Sequence, residues 1–166
     1  MKKIGIFYGS DSGNTEGICQ KIAKALGEEN TALFDVAKVK KEQILEFDNL
    51  ILASSTYGSG DIQDDWDGML SALSDSDFAS KVVALVGVGD QDTYSDTFCD
   101  SLYHLYEKVK QAKLIGETEP DGYDFSDSRA IVDGKFVGLA LDEDNQDDLT
   151  DSRIEAWVEK IRPLFA

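Results

Sequence analysis

Ser10-Asp11-Ser12-Gly13-Asn14-Thr15 lies between an apolar run, Ile4 to Tyr8, and a helix-patterned segment, Thr15 to Leu26. Four hydroxyl or amide side chains and a glycine at a strand-to-helix turn can surround a phosphate with neutral donors. The helix start adds backbone N–H groups and the positive end of its dipole. No Lys or Arg occurs between Tyr8 and Gln20. The triphosphate loop G-x-x-x-x-G-K-[ST] depends on its lysine and a Mg²⁺-binding hydroxyl, so a monophosphate is the better fit. Taken alone, the same six residues equally describe an ordinary capped helix start, and the rest of the chain has to decide.

Outward from this loop, the runs Lys3 to Tyr8, Ala32 to Val36, Leu50 to Ala53 and Val82 to Val88 are short, near-continuous and partly β-branched. That is the pattern of strands buried on both faces. They alternate with helical segments. The first helix places Ile18, Ile22, Ala25 and Leu26 on one face, with Gly27 placed to end it in a left-handed cap. A second spans Asp96 to Ala112, with Phe98, Leu102, Leu105, Tyr106 and Val109 apolar. The last spans about Thr150 to Phe165, with Thr150 as N-cap, a staple between Leu149 and Ile154, and a stripe of Ile154, Trp157, Val158 and Ile161. Alternation of this kind predicts an α/β fold: a three-layer, doubly wound parallel sheet covered by helices on both sides. Its ligand site is expected beyond the carboxyl ends of the strands, where strand order reverses.

Two further loops leave the same sheet edge. Ser55-Thr56-Tyr57-Gly58-Ser59-Gly60 follows the third strand, and Gly87-Val88-Gly89-Asp90-Gln91-Asp92-Thr93-Tyr94 follows the fourth. Glycines let backbone approach a ligand closely, and Tyr57 and Tyr94 are placed to stack on opposite faces of a flat ring. Either tyrosine alone would read as a loop aromatic packing on the sheet end; three such loops together describe a flavin-shaped site. Gly87-Val88-Gly89 also begins a G-x-G-x-x-G motif, but its last position is Asp92, and an acidic helix start repels pyrophosphate.

The chain has 166 residues, the length of one domain able to bury a core without disulfides. Its 16 Lys and Arg against 33 Asp and Glu give a formal net charge of −17. Such a field opposes nucleic acid and anionic membranes and favours basic protein partners. No apolar run approaches the ~20 residues of a membrane span and no leader is apparent, so a cytoplasmic protein is expected. Cys19 and Cys99 sit in separate helical segments without C-x-x-C or a His-rich neighbourhood, and read as buried, reduced thiols. The only histidine, His104, falls beside Asp100 and Lys108 at helical spacing and reads as a surface residue.

Residues 117–136 break the alternation with Pro120, Asp121, Gly122 and no helical stripe, before Val137 to Leu141 resumes a strand. This reads as an insertion splitting the fifth strand. The acidic run from Asp142 to Asp148 lacks the glycine and late glutamate of a calcium loop, and no metal site is expected.

Along its whole length the chain resembles a long-chain flavodoxin of the bacterial kind. The resemblance rests on the Ser10 to Thr15 loop, Thr56-Tyr57-Gly58-Ser59-Gly60, Gly89-Asp90-Gln91 with Tyr94, and Leu139 to Gln146 ahead of Asp148-Leu149-Thr150-Asp151, together with the 117–136 insertion. It implies one domain, 1–166, with strand order 2-1-3-4-5 and the FMN at the switch point. That order is the flavodoxin placement in general use and is taken from the resemblance. One departure is Tyr57, where many long-chain members have Trp.

The resemblance implies an FMN cofactor. Its phosphate would be held at Ser10, Asp11, Ser12, Gly13, Asn14 and Thr15, and its ring sandwiched by Tyr57 and Tyr94. Ser55, Thr56, Gly58, Ser59, Gly60 and Gly89 would line it, with Asp90 at the pyrimidine edge and Asp144 towards the ribityl chain. The Gly58 carbonyl would accept the flavin N5 hydrogen. The implied activity is that of a low-potential, single-electron carrier, shuttling between semiquinone and hydroquinone states and turning over no substrate of its own. Implied partners are redox enzymes with basic docking faces, of the flavodoxin/ferredoxin NADP reductase and 2-oxoacid oxidoreductase types. They would be steered by Asp61, Asp64, Asp65, Asp67, Asp92 and Asp96 to a monomeric carrier. Two other classes share parts of this pattern. An FMN-dependent NAD(P)H oxidoreductase needs positive groups for nicotinamide phosphates where these loops supply carboxylates. A phospho-acceptor signalling domain needs a phosphorylatable Asp where this third strand ends in Ser54-Ser55-Thr56.

Overall fold

The apolar runs become strands whose alternate residues face opposite layers. A computed structural model describes all 166 residues. In chain order the main elements are β1 Ile4–Gly9, α1 Asn14–Leu26, β2 Thr31–Asp35, α2 Lys41–Leu45, β3 Asn49–Tyr57, β4 Asp61–Ile62, α3 Asp64–Ala72, β5 Val82–Val88, α4 Ser101–Val109, β6 Lys113–Ile115, β7 Ile131–Val132, β8 Lys135–Phe136, β9 Leu139–Leu141 and α5 Asp147–Ile161. The main sheet runs β2-β1-β3-β5-β6 and is parallel along that path.

In β1, Ile4 and Ile6 enter one core and Phe7 the other; in β5, Ala84 and Val86 face opposite to Val83 and Leu85. This period of two is what a strand imposes. Ile18, Ile22 and Leu26 of α1, with Ile154, Trp157 and Ile161 of α5, cover one face. Trp66 and Leu70 of α3, with Leu102 and Leu105 of α4, cover the other. All seven residues of β5 are buried, as befits the strand at the centre of two cores.

The fifth strand is split. β6 pairs with Val82–Ala84 and β9 with Val86–Val88, both parallel to β5. Between them the insertion folds a two-stranded hairpin, β7 with β8. Its turn residues, Asp133 and Gly134, both have positive φ, 53° and 83°, which is the mirror-image turn that matches strand twist and that Asp-Gly favours. Tyr123, Phe125 and Phe136 of the insertion cluster on Phe98, with ring centroids 5.1 Å apart for Phe98 and Phe125.

Several expectations need correcting. β3 runs four residues beyond Ala53, and β4 adds a short antiparallel pair to its end. α4 starts at Ser101 and not at Asp96, because Cys99 takes a left-handed φ of 54° that no helix continues through. Cys99 is therefore outside a helix, although both thiols are buried and free. α5 starts at Asp147, one turn before the expected cap: Asp147 and Asp148 occupy its first turn, where carboxylates suit the dipole. Thr150 is inside the helix and fully buried, its Oγ1 donating to Glu143 Oε1 at 2.6 Å. Leu149 is the third residue of the helix and not the residue ahead of its cap, so it does not occupy the staple position expected of it. Gly27 ends α1 at φ 98°, ψ 119°, a positive-φ exit outside the left-handed helical region, its N–H bonded to the Lys24 carbonyl. No helix is long and apolar enough to cross a membrane.

Candidate functional site

The carboxyl ends of β1, β3 and β5 open onto one cleft of about 230 Å³. Ser12, Asn14, Ser55, Thr56, Tyr57, Gly89, Asp90, Tyr94 and Asp144 line it together with Val88. All three loops singled out from the sequence meet there. Seven expected residues do not line it: Ser10, Asp11, Gly13, Thr15, Gly58, Ser59 and Gly60.

The first loop is built by its own polar groups. Ser10 Oγ accepts from the Gly13 N–H at 3.1 Å, and Gly13 reaches φ 92° to start α1. No side chain caps that helix, so its first N–H groups face outward from a glycine. Thr15, the next residue after cleft-lining Asn14, is 1 % exposed, and its Oγ1 has no hydrogen-bond partner. Ser55 Oγ and Tyr57 Oη are buried without partners as well. Buried polar groups are otherwise almost always paired, and an orphan costs about 1–3 kcal/mol. Two of the three belong to cleft-lining residues and the third to the neighbour of cleft-lining Asn14, which marks a place shaped for a polar ligand. Asp11 does something else: its Oδ1 accepts from Gln63 Nε2 at 2.9 Å.

Gln63 was not legible as a site residue. It is fully buried, its Oε1 accepting from the Asp65 and Trp66 N–H groups at the start of α3 while its backbone N–H donates to Ser54 Oγ at 3.2 Å. It ties the first loop to β3 and α3. The one available signal was a capping side chain ahead of the acidic turn Asp64-Asp65.

The third loop hangs on Asp142. This fully buried carboxylate accepts through Oδ2 from Gln91 N at 3.0 Å and Gln91 Nε2 at 2.7 Å, and through Oδ1 from Asp144 N at 3.1 Å and Asn145 N at 3.0 Å. Asp90 Oδ1 accepts from Asp92 N, Thr93 N and Asn145 Nδ2, at 3.1, 2.9 and 2.8 Å. Burial alone would raise the Asp90 carboxyl, but these bonds outweigh it and hold it below the usual range. Asp144 moves the other way: partial burial, then Asp90, Asp142 and Glu143 around it, push it up. Tyr94 is 43 % exposed at the cleft mouth. The carboxylates of Asp61, Asp64, Asp65, Asp67, Asp92 and Asp96 stand exposed nearby.

His104 was read as a surface residue; it is half-buried, and its Nε2 meets the Gly60 carbonyl at 2.9 Å. Their 44-residue separation hid the contact from any helical-spacing argument.

The family model described as Flavodoxin matches residues 6–157. The chain belongs to the flavodoxin family. Members are electron-transfer proteins and not enzymes. A flavodoxin of Helicobacter pylori is 55% identical over 166 residues, covering 100% of both chains. One of Nostoc sp. is 45% identical, covering 99% of this chain and 98% of its own. The crystal structure of Fusobacterium nucleatum flavodoxin bound to flavin mononucleotide superposes with a TM-score of 0.94 at 40% identity, covering 100% of each chain. The flavodoxin sheet order expected from the sequence is the order found, with β4 the one extra strand between the third and fourth parallel ones.

Proposed function

We propose that the chain is a single-domain, low-potential electron carrier of the long-chain flavodoxin type, with one non-covalent FMN in the cleft of the three loops. The observation that carries the reading is the pair of orphaned oxygens on cleft-lining residues, Ser55 Oγ and Tyr57 Oη, with a third, Thr15 Oγ1, on the residue next to cleft-lining Asn14. Bound there, FMN supplies one-electron transfer. Ser10, Ser12, Asn14 and Thr15, with backbone N–H groups of the loop, would hold its phosphate. Tyr57 and Tyr94 would flank the ring, with Ser55, Thr56 and Gly89 forming the surrounding wall and Ser59 and Gly60 in the reversal behind Tyr57. Asp90 would meet the pyrimidine edge and Asp144 the ribityl chain, and the Gly58 carbonyl would be the acceptor for the flavin N5 hydrogen.

The residues also set the potential. No cation in the first loop neutralises a phosphate, the chain carries −17, and the aromatic walls exclude water. Added negative charge is then held weakly, which lowers the potential. The exposed aspartates around the cleft steer the carrier to basic faces on reductases of the flavodoxin/ferredoxin NADP type and on 2-oxoacid oxidoreductases, encounters that weaken as salt rises. A cytoplasmic monomer suits such shuttling.

The test is a visible spectrum of the purified protein, followed by stepwise anaerobic reduction. One FMN per chain, reduced in two resolved one-electron steps at low potential, supports the reading; a colourless protein that refuses added FMN overturns it.

A further inference from the structure

The wall of the cleft that carries Tyr57 is a tight reversal. Gly60 N donates to the Tyr57 carbonyl at 3.1 Å, with Gly58 at φ 52° and Gly60 at φ 95°. Its apex is loosely held: Gly58 and Ser59 are exposed, and a Cβ built on Gly58 would find its nearest neighbour, Asp61 Oδ2, 3.5 Å away. Its base is held firmly, and from behind, by the first turn of α4. Ser101 N donates to Thr56 Oγ1 at 3.2 Å, and Thr56 Oγ1 donates to Ser101 Oγ at 2.8 Å. Asp100 is packed so closely against Gly60 that a Cβ there would lie 2.6 Å from its Oδ2. His104 supplies the remaining tie. A carbonyl oxygen only accepts, so Nε2 carries the proton and donates to Gly60 O. That bond fixes the plane of the peptide leading into β4, whose Asp61 pairs with Tyr57.

We propose that His104 is a positioning residue for the ring half of the cleft. It lines no part of the cleft itself and acts through the Gly60 carbonyl, holding the Tyr57 backbone in the orientation that receives a flat ring. The inference rests on the FMN reading above and deepens it. It also has a boundary: the Ser10 to Thr15 loop makes no hydrogen bond to α4, so phosphate binding should be indifferent to His104.

The experiment compares the apoprotein with its H104L and H104Q variants. FMN and riboflavin affinities are read from quenching of flavin fluorescence, inorganic phosphate binding from phosphorus NMR, and the first one-electron potential from anaerobic titration of the FMN-loaded forms. Loss of one hydrogen bond predicts that H104L weakens FMN and riboflavin alike by about fivefold, shifts the first potential and leaves phosphate binding unchanged. In H104Q the amide N–H restores the donor, and both flavin affinities return to within about twofold of the parent. Amide exchange at Gly60 and Asp61 in flavin-free H104L should quicken. Flavin affinities in H104L equal to the parent's would overturn the proposal. So would a parallel loss of flavin and phosphate binding that H104Q fails to rescue, the mark of a residue that only stabilises the fold. A parent protein that takes up no flavin would defeat the FMN reading and this inference with it, whereas normal binding by both parent and H104L defeats this inference alone.

Discussion

Replacing Thr15 by Val tests the phosphate site with effects of opposite sign. The two side chains are nearly the same shape and both are β-branched, so packing and helix propensity change little. In the apoprotein the Thr15 hydroxyl is 1 % exposed and unpaired. Removing it relieves a desolvation cost, and the apoprotein should gain about 1 kcal/mol. On the proposed FMN reading the same hydroxyl would gain a charge-assisted bond to a phosphate oxygen, worth about 1.5–3 kcal/mol. Thr15→Val should therefore weaken FMN about 10- to 100-fold while leaving riboflavin, which has no phosphate, unchanged. Urea unfolding of the apoprotein gives the first quantity and fluorescence quenching by apoprotein the second. A destabilised apoprotein, or equal losses for FMN and riboflavin, would refute the argument that this oxygen is held in reserve for a ligand.

Asp142→Asn keeps the shape but turns one acceptor into a donor. Whichever oxygen becomes the amide, at least two N–H groups lose their acceptor, the buried pair of Gln91 or the part-buried pair of Asp144 and Asn145, so the urea midpoint should fall by the equivalent of about 2 kcal/mol and FMN affinity should drop as the loops at the cleft loosen; an unchanged midpoint would count against Asp142 as the anchor. Asp144→Asn should stabilise the apoprotein at neutral pH. The Asp144 carboxyl is raised on folding, so its cost is absent below the unfolded-chain value and complete once pH has risen through the raised one; a gain that persists in acid would contradict the sign. Gly58→Val places a β-branched residue at φ 52°, at a strain of about 1–2 kcal/mol, and should narrow the separation of the two one-electron potentials, a separation that stays the same in redox titration if Gly58 has no role.

The sequence was legible where burial writes a pattern. Lys3 to Tyr8 and Val82 to Val88 lie near the ends of β1 and β5 because both faces of these strands are apolar. β3 was read short because Ser54, Ser55, Thr56 and Tyr57 continue it at the ligand edge, where polar side chains replace the hydrophobic signal. The three loops were legible for a related reason: hydroxyls, glycines and aromatics clustered after strands have few purely structural uses. Gln63, Asp142 and His104 were not, since each acts on residues 44 to 52 positions away. Asp142 in particular was submerged in an acidic run of which Asp144, Asp147 and Asp148 are exposed. Cys99 hid the true start of α4 by taking a conformation that its apolar side chain gave no reason to expect.

The register of β5 says how the insertion is joined to the sheet. Ile115 lies opposite Ala84 and Leu139 opposite Val86, so only Leu85 is unmatched, and there a Cβ on Gly138 would collide with the Leu85 carbonyl. Residues 116–138 are thus a detour that departs and returns one step apart along a single straight edge. A chain without them could bridge Ile115 to Leu139 with one residue and keep an unbroken fifth strand. It would pay in cover: Phe136 and Ala130 would leave the core, and the Tyr123 hydroxyl that donates to the Ala140 carbonyl at 2.5 Å would be gone. The detour is a removable roof over Phe98, hinged at neighbouring points of one strand edge, and a chain without it would have to refit Phe98 as outer wall.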